Sequence, residues 1–184
     1  MKEILIWSPK GGDGKTTICY SMIQFLGTTC DAVDLDPQHS LSTALNVAGI
    51  QMSQPNAKYR IYDTAPFNDA SLDQIIPNVD HILLPAKLGY PDLVSFRTAY
   101  ERLLKANVAH KALLVFNDVR KPLTQEAKEV LRLFRKNYPK IKVADTFISR
   151  LEAFRRVFRF PLEGKAAMQI SSLLAEIGIN DRFK

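Results

Sequence analysis

The sequence predicts an α/β fold: a mainly parallel, twisted sheet with helices on both faces. Three observations carry this. Short apolar runs of strand length alternate along the chain with stretches of helical periodicity, the pattern of strand–helix–strand units that bury a parallel sheet between helices. The first apolar run leads directly into a glycine-rich loop, and the loop into a helical stretch. The 184 residues are 46% hydrophobic and 24% charged, which suits one globular domain with a sizeable core, expected to span residues 1–184, and excludes a disordered chain.

Taken in order, Ile4-Leu5-Ile6-Trp7 reads as the first strand, too short an apolar run for a signal peptide. A helix is expected from about Lys15 to Leu26. Ala32 to Leu35 reads as the second strand, Tyr59 to Asp63 as the third, Val79 to Pro85 as the fourth and Ala112 to Phe116 as the fifth, with a sixth at Ile141 to Ala144. Pro91-Asp92 opens a helix, with proline at its first position and an acid in its first turn. Its apolar face is Leu93, Phe96, Tyr100, Leu103 and Leu104. Pro122 is expected to open another, with Leu123, Ala127, Val130, Leu131 and Phe134 along one side. The last helix buries Ala167, Ile170, Leu174 and Ile177 and stops at Gly178. In such a sheet, ligands sit at the carboxyl ends of the strands.

The loop Ser8-Pro9-Lys10-Gly11-Gly12-Asp13-Gly14-Lys15-Thr16-Thr17 fits G-x-x-x-x-G-K-[ST], with Pro9 in place of the first glycine. Glycines let the backbone turn sharply and approach phosphate oxygens. Successive N–H groups at a helix N-terminus then cradle the anion. Lys15 is placed for the β- and γ-phosphates and the Thr16 hydroxyl for Mg²⁺. This is the signature of a P-loop NTPase.

Lys10-Gly11-Gly12-x-Gly14-Lys15-Thr16-Thr17 resembles the deviant Walker A motif of the ParA/MinD superfamily, most closely the small ParA-type partition ATPases. The resemblance covers roughly Met1 to Gly178. It implies an ATPase that uses ATP and Mg²⁺ and dimerises when ATP is bound. Lys10 would then reach the partner's phosphates in trans, as an arginine finger does. Thr17 would bond an α-phosphate oxygen. Asp13 occupies a variable position of the nucleotide-binding loop and is assigned no individual role. Asp34-Leu35-Asp36-Pro37-Gln38 resembles the family's switch I element. Asp36 would orient the attacking water and Asp34 support it from beside, the alternative being that either caps the following helix. Asp63-Thr64-Ala65-Pro66 resembles Walker B, with Asp63 on Mg²⁺, although Arg60 and Tyr62 make its strand less aliphatic than usual. Asn117, after the fifth strand, would contact the adenine, or else is a turn residue. The stretch between Asp36 and Asp63 is short, as in the small partition ATPases. With the first strand at the chain's start, no N-terminal helix-turn-helix domain is expected.

A net charge of +6 makes a polyanion partner plausible. By resemblance the partner is DNA, bound non-specifically, with an adaptor protein stimulating hydrolysis. Arg150, Arg155, Arg156 and Arg159 are the candidate phosphate contacts, the alternative being a solvated charged face. The cargo stays open between a plasmid or chromosome and a protein cluster such as a microcompartment. A MinD-like membrane cycle would need a terminal amphipathic helix, for which Asn180 to Lys184 is too short and too weakly apolar. An iron–sulfur relative would need cysteines after the third strand. The two present, Cys19 and Cys30, precede it and read as buried or half-buried thiols in a reducing, cytoplasmic setting, with nucleoid association expected. A further reading is an ATP-binding scaffold with negligible turnover, against which Asp36 argues.

Overall fold

The structure, a computed structural model, describes residues 1–66 and 72–180. The strands are β1 (Lys2–Ile6), β2 (Cys30–Asp34), β3 (Tyr59–Asp63), β4 (His81–Ala86), β5 (Ala112–Phe116) and β6 (Lys142–Val143). They form one sheet in the order β2-β3-β1-β4-β5-β6, and every strand pair is parallel. After β1 the chain passes to the edge strand β2, returns with β3 into the place between β2 and β1, then crosses over to build β4, β5 and β6 outward on the other side. The reversal falls at the carboxyl end of β1, where the glycine loop begins, and it is there that such sheets open a crevice.

The helices are α1 (Lys15–Leu26), α2 (Ser40–Val47), α3 (Leu72–Ile75), α4 (Tyr90–Lys105), α5 (Gln125–Asn137), α6 (Glu152–Arg155) and α7 (Gly164–Glu176). Two apolar clusters show how they are divided between the sheet's faces. Ile4, Ile6, Ile61, Leu83 and Leu113 pack with α1, α2 and α7, whereas Leu5, Ile82, Leu84 and Leu114 pack with α4 and α5. This strand alternation places the two halves of the core on opposite faces. On the second face, Phe96, Phe116, Phe134 and Tyr138 meet edge to face at ring separations of 5.0–5.3 Å for the pairs joining Phe96 to Phe134 and Tyr138 and Phe116 to Phe134.

The unusual polarity of β3 has a physical reason. Arg60 and Tyr62 alternate with Ile61 and Asp63, so they point to the other face. There Arg60 pairs with Glu3 of β1 at 3.3 Å and Asp31 of β2 at 3.2 Å, its register neighbours. The Tyr62 hydroxyl donates to Glu3 Oε1 at 2.9 Å. The polar side chains satisfy one another across three strands, and the ladder is left intact.

Three expectations are corrected. α5 begins at Gln125, not Pro122, because the Thr124 side chain accepts the Ala127 N–H and caps it. Leu104 of α4 is 36% exposed, and Ala99, wholly buried, takes its place on the inner face. The second strand starts earlier, at Cys30, and stops at Asp34. Both cysteines are buried and free. Gly178 follows α7 with φ +72°, a conformation that suits glycine as a helix stop. The end of the chain that the membrane argument used, residues 181–184, lies outside the described residues. Among the described residues no helix is long and apolar enough to cross a membrane.

Candidate nucleotide site

The glycine loop leaves β1 and enters α1 through Gly12 and Gly14, both left-handed, at φ +80° and +87°. At Gly14 a second constraint applies. A Cβ there would stand 2.0 Å from Asn117 Nδ2, which donates to the Asp13 carbonyl at 2.8 Å. Asn117 therefore clamps the end of β5 to the loop. Its Nδ2 is committed to the backbone, which leaves Oδ1 as the atom able to take a donor from a base.

Lys15 is 6% exposed. Its ammonium donates to the Lys10 carbonyl at 3.1 Å and lies 3.4 Å from Ser8 Oγ. Burial pulls its pKa down, against the pull of Asp63, Asp13 and Asp36. Lys10 turns onto its own chain: Nζ donates to Asp92 Oδ1 at 2.9 Å, and Asp92, in the first turn of α4, is itself 5% exposed. Asp92 had been legible only as a first-turn acid. Its pairing depends on β1 and β4 being neighbours, which no local pattern reveals.

The carboxylates gather at the strand ends. Asp34 and Asp63 are register partners on β2 and β3, and Ile6 stands beside Asp63 on β1. Asp34 acts as a splint. Oδ1 accepts the Asp36 N–H at 3.1 Å and Oδ2 the Ser42 N–H at 2.8 Å, in the first turn of α2. The expected supporting and capping roles thus coincide in one side chain. Asp36 is 8% exposed and holds the Gln38 N–H on Oδ1 at 2.9 Å. Asp63 is fully buried, and among the described residues neither of its oxygens has a hydrogen-bond partner. Its pKa is pushed up to about 6, mainly by burial, with Thr16 and Cys19 beside it holding it back.

Two hollows meet over the loop. One, of about 570 Å³, is lined by Gly11, Lys15, Thr16, Asp36 and Phe158 among others; the second, of about 210 Å³, by Asn117, Asp118, Ser149, Arg150 and Arg155. They share Gly12, Gly14 and Thr17. The wall of the second is stitched by α7: Gln169 accepts the Ser149 N–H at 3.1 Å and donates to its hydroxyl at 2.8 Å. Another hollow, of about 490 Å³ near Ile23, Gln24 and Leu162, lies at the far end of α1 and is lined by no charged residue.

The four arginines do not form one free basic face. Arg150 forks onto Asp118, with Nε 2.6 Å from Oδ1, and lines the second hollow, as does Arg155. Arg155 and Arg156 share Glu152, at 3.4 and 2.8 Å. Arg159 has no ion pair among the described residues. The parallel bridge between Val119 and Ser149 brings Arg150 to the hollow beside the loop, apart from Arg156 and Arg159.

A parallel sheet with this loop at its reversal point, and buried acids at the neighbouring strand ends, defines a P-loop nucleotide-binding protein. The model of the CobQ/CobB/MinD/ParA nucleotide binding domain matches residues 4–160, and the chain belongs to that family of ParA/MinD-type ATPases. No curated protein sequence matches the chain. Among solved structures, it is similar to a Cyanothece McdA variant in complex with ATP, at 14% identity and TM-score 0.78, covering 100% of this chain and 99% of that one. It is also similar to a putative plasmid partition protein of Borrelia burgdorferi B31 bound to AMPPNP, at 16% identity and TM-score 0.73, covering 96% and 98%. A third likeness is to the MinD cell division protein of Aquifex aeolicus, at 14% identity and TM-score 0.70, with full coverage of both chains. At these identities the likeness speaks for the fold.

Proposed function

We propose that the chain hydrolyses ATP as a single P-loop domain, dimerises with ATP bound, and binds DNA non-specifically in order to position a DNA cargo in the cytoplasm. The observation that carries the ATPase reading is the orphaned, fully buried Asp63 carboxylate at the foot of the phosphate hollow. A buried carboxylate without a partner is costly, and a cation relieves that cost. Thr16 and Asp63 supply hard oxygen donors that suit Mg²⁺, which is commonly held by one or two protein ligands together with phosphate oxygens and water. When bound, Mg²⁺ would neutralise charge developing on the transferred phosphoryl group.

The chain's own groups divide the remaining work. The backbone N–H groups from Gly11 to Gly14 and the Lys15 ammonium receive phosphate oxygens, and Thr17 takes the α-phosphate. Asp36, held by the Asp34 splint, has one oxygen left to accept a proton from an attacking water. Lys10 exchanges Asp92 for the phosphates of a second subunit, completing the charge balance in trans. Asn117 Oδ1 and the Arg150 wall receive the base.

For DNA, the support is the net charge of +6 and the exposed Arg156 and Arg159, with Arg155 at the rim of the base hollow. Exposed ion pairs such as those to Glu152 are worth about 0–1 kcal/mol, so DNA phosphates can displace one glutamate shared by two arginines. The test is duplex DNA retention with ATP, with ADP and without nucleotide, over a salt series. ATP-dependent binding that weakens steeply with salt is expected. Neutralising Arg156 and Arg159 is expected to reduce the log–log salt slope by about 2, near 0.9 per phosphate contact. An unchanged slope removes these arginines from the interface. No retention in any nucleotide state refutes the DNA reading, and an adaptor would then act on a partner other than nucleoid-bound protein.

A further inference from the structure

We propose that Asp13 is a built-in rival of the nucleotide phosphates: its carboxylate stands in the field of Lys10 and Lys15, and phosphate is received as that carboxylate is neutralised by a proton from solvent. The inference rests on the reading that the loop binds ATP, and it gives a role to a residue that the loop's chemistry does not otherwise need. Phosphate is cradled by backbone N–H groups and lysine. An acid side chain at such a site has the wrong sign.

Asp13 lines neither hollow over the loop, so it acts on the phosphate site through its field. Asp13 is 3% exposed, and its Oδ1 is buried without a hydrogen-bond partner among the described residues. Its carbonyl is held by Asn117 Nδ2 at 2.8 Å, so its backbone cannot move outward without breaking the clamp between β5 and the loop. The groups facing it are Lys10 and Lys15, Asp92 from the first turn of α4, and the Ser8 hydroxyl at the end of β1. Both lysines also serve other partners, Asp92 for Lys10 and the Lys10 carbonyl for Lys15. The carboxylate therefore lacks a cation of its own.

Burial first, and then Asp92, push the Asp13 carboxyl up to about 6, while Ser8, Lys10 and Lys15 hold it back. An incoming polyphosphate adds negative charge to the same field and engages the lysines. Both changes raise the carboxyl's pKa further. Binding above pH 6 is thus coupled to uptake of a proton by Asp13, and the proton returns to solvent when the nucleotide leaves. The sign follows. Below about pH 6 Asp13 is already neutral and affinity is indifferent to it. Above that, affinity falls by up to roughly tenfold per pH unit until the pKa of the occupied state is passed.

The experiment is calorimetric titration of Mg·ADP into the full chain and into Asp13→Asn at pH 7 and pH 8, in two buffers of different ionisation enthalpy. Asp63, also raised to about 6, would release rather than take up a proton as Mg²⁺ binds, so it cannot mimic uptake, and its share shrinks tenfold from pH 7 to pH 8. The wild type is expected to take up a fraction of a proton and to bind several-fold more weakly at pH 8 than at pH 7. Asp13→Asn is expected to bind roughly tenfold more tightly than the wild type at pH 8, with less proton uptake and a flatter pH dependence. Equal affinities and equal uptake in the two proteins overturn the inference while leaving the nucleotide site standing. Failure of both folded proteins to bind Mg·ADP overturns both. Should Asp13→Asn not fold, the wild type decides: an affinity unchanged from pH 7 to pH 8 with no proton uptake overturns the proposal.

Discussion

Replacing Asp63 by asparagine is expected to stabilise the protein when nucleotide and Mg²⁺ are absent, and to remove the stability that they confer. The Asp63 carboxylate is fully buried, with neither oxygen partnered among the described residues. Burial raises its pKa from the ordinary 3.8 to about 6. At about 1.4 kcal/mol per pH unit, that rise corresponds to about 3 kcal/mol of strain on the ionised form. The folded state binds this proton more tightly than the unfolded state does. Stability of the empty wild type therefore falls as pH rises from about 4 through about 6 and is level above. Asparagine keeps the shape without the charge, but buries an amide that also lacks partners. Part of the gain is lost in this way, which leaves a net stabilisation of about 1–2 kcal/mol at pH 7.5. Urea unfolding at pH 4.5 and 7.5 in the presence of a chelator measures it. The variant should have the higher midpoint at pH 7.5, with the advantage shrinking at pH 4.5. With Mg·ATP at a hundredfold its dissociation constant the wild type gains about 2.7 kcal/mol, and the variant much less. A variant less stable than the wild type at pH 7.5, or a difference independent of pH, refutes the reasoning that Asp63 is an uncompensated charge awaiting a cation.

Other perturbations follow from the same geometry. Gly14→Ala forces a left-handed alanine and drives its Cβ into Asn117. It should cost about 2–3 kcal/mol by urea unfolding, and less in an Asn117→Ala background, where the clash is relieved. Lys10→Ala strands Asp92, and should lower the stability of the nucleotide-free monomer by about 1–3 kcal/mol, read from the urea midpoint. Tyr138→Phe removes a buried hydroxyl bonded to the Leu93 carbonyl at 2.6 Å, and should cost about 1 kcal/mol with nucleotide binding unchanged. Gln169→Ala cuts both bonds to Ser149, and should weaken nucleotide binding several-fold while the rate at saturating ATP is kept. A kinetic comparison of KM and kcat checks this.

What was legible in the sequence was local. The ends of α1, β3 and β5 coincide with the expected Lys15–Leu26, Tyr59–Asp63 and Ala112–Phe116, because apolar periodicity and a glycine or an acid mark each boundary within a few residues. The glycine loop is legible for the same reason. α5 was misplaced by three residues because Pro122 imitates a helix start, whereas the side chain of Thr124 makes the cap. The short α2 buries only Leu41 and Leu45 and leaves little periodicity to detect. Long-range pairs were not legible. Lys10 meets Asp92 from 82 positions away and Asn117 meets Asp13 from 104, and each pairing depends on which strands are neighbours. Asp13 resembled a free loop position because its burial comes from elements that do not adjoin it in sequence. Arg150 resembled a surface cation until the Val119–Ser149 bridge placed it beside Asp118.

The central claim, hydrolysis of ATP at this loop with Asp36 positioning the water, is tested most directly by single-turnover phosphate release in the wild type, Asp36→Ala and Lys15→Ala, with ATP binding measured on the same samples. The account predicts that Asp36→Ala retains ATP but releases no phosphate, and that Lys15→Ala fails to retain it. Phosphate release by Asp36→Ala at the wild-type rate, or undiminished ATP binding by Lys15→Ala, would contradict it.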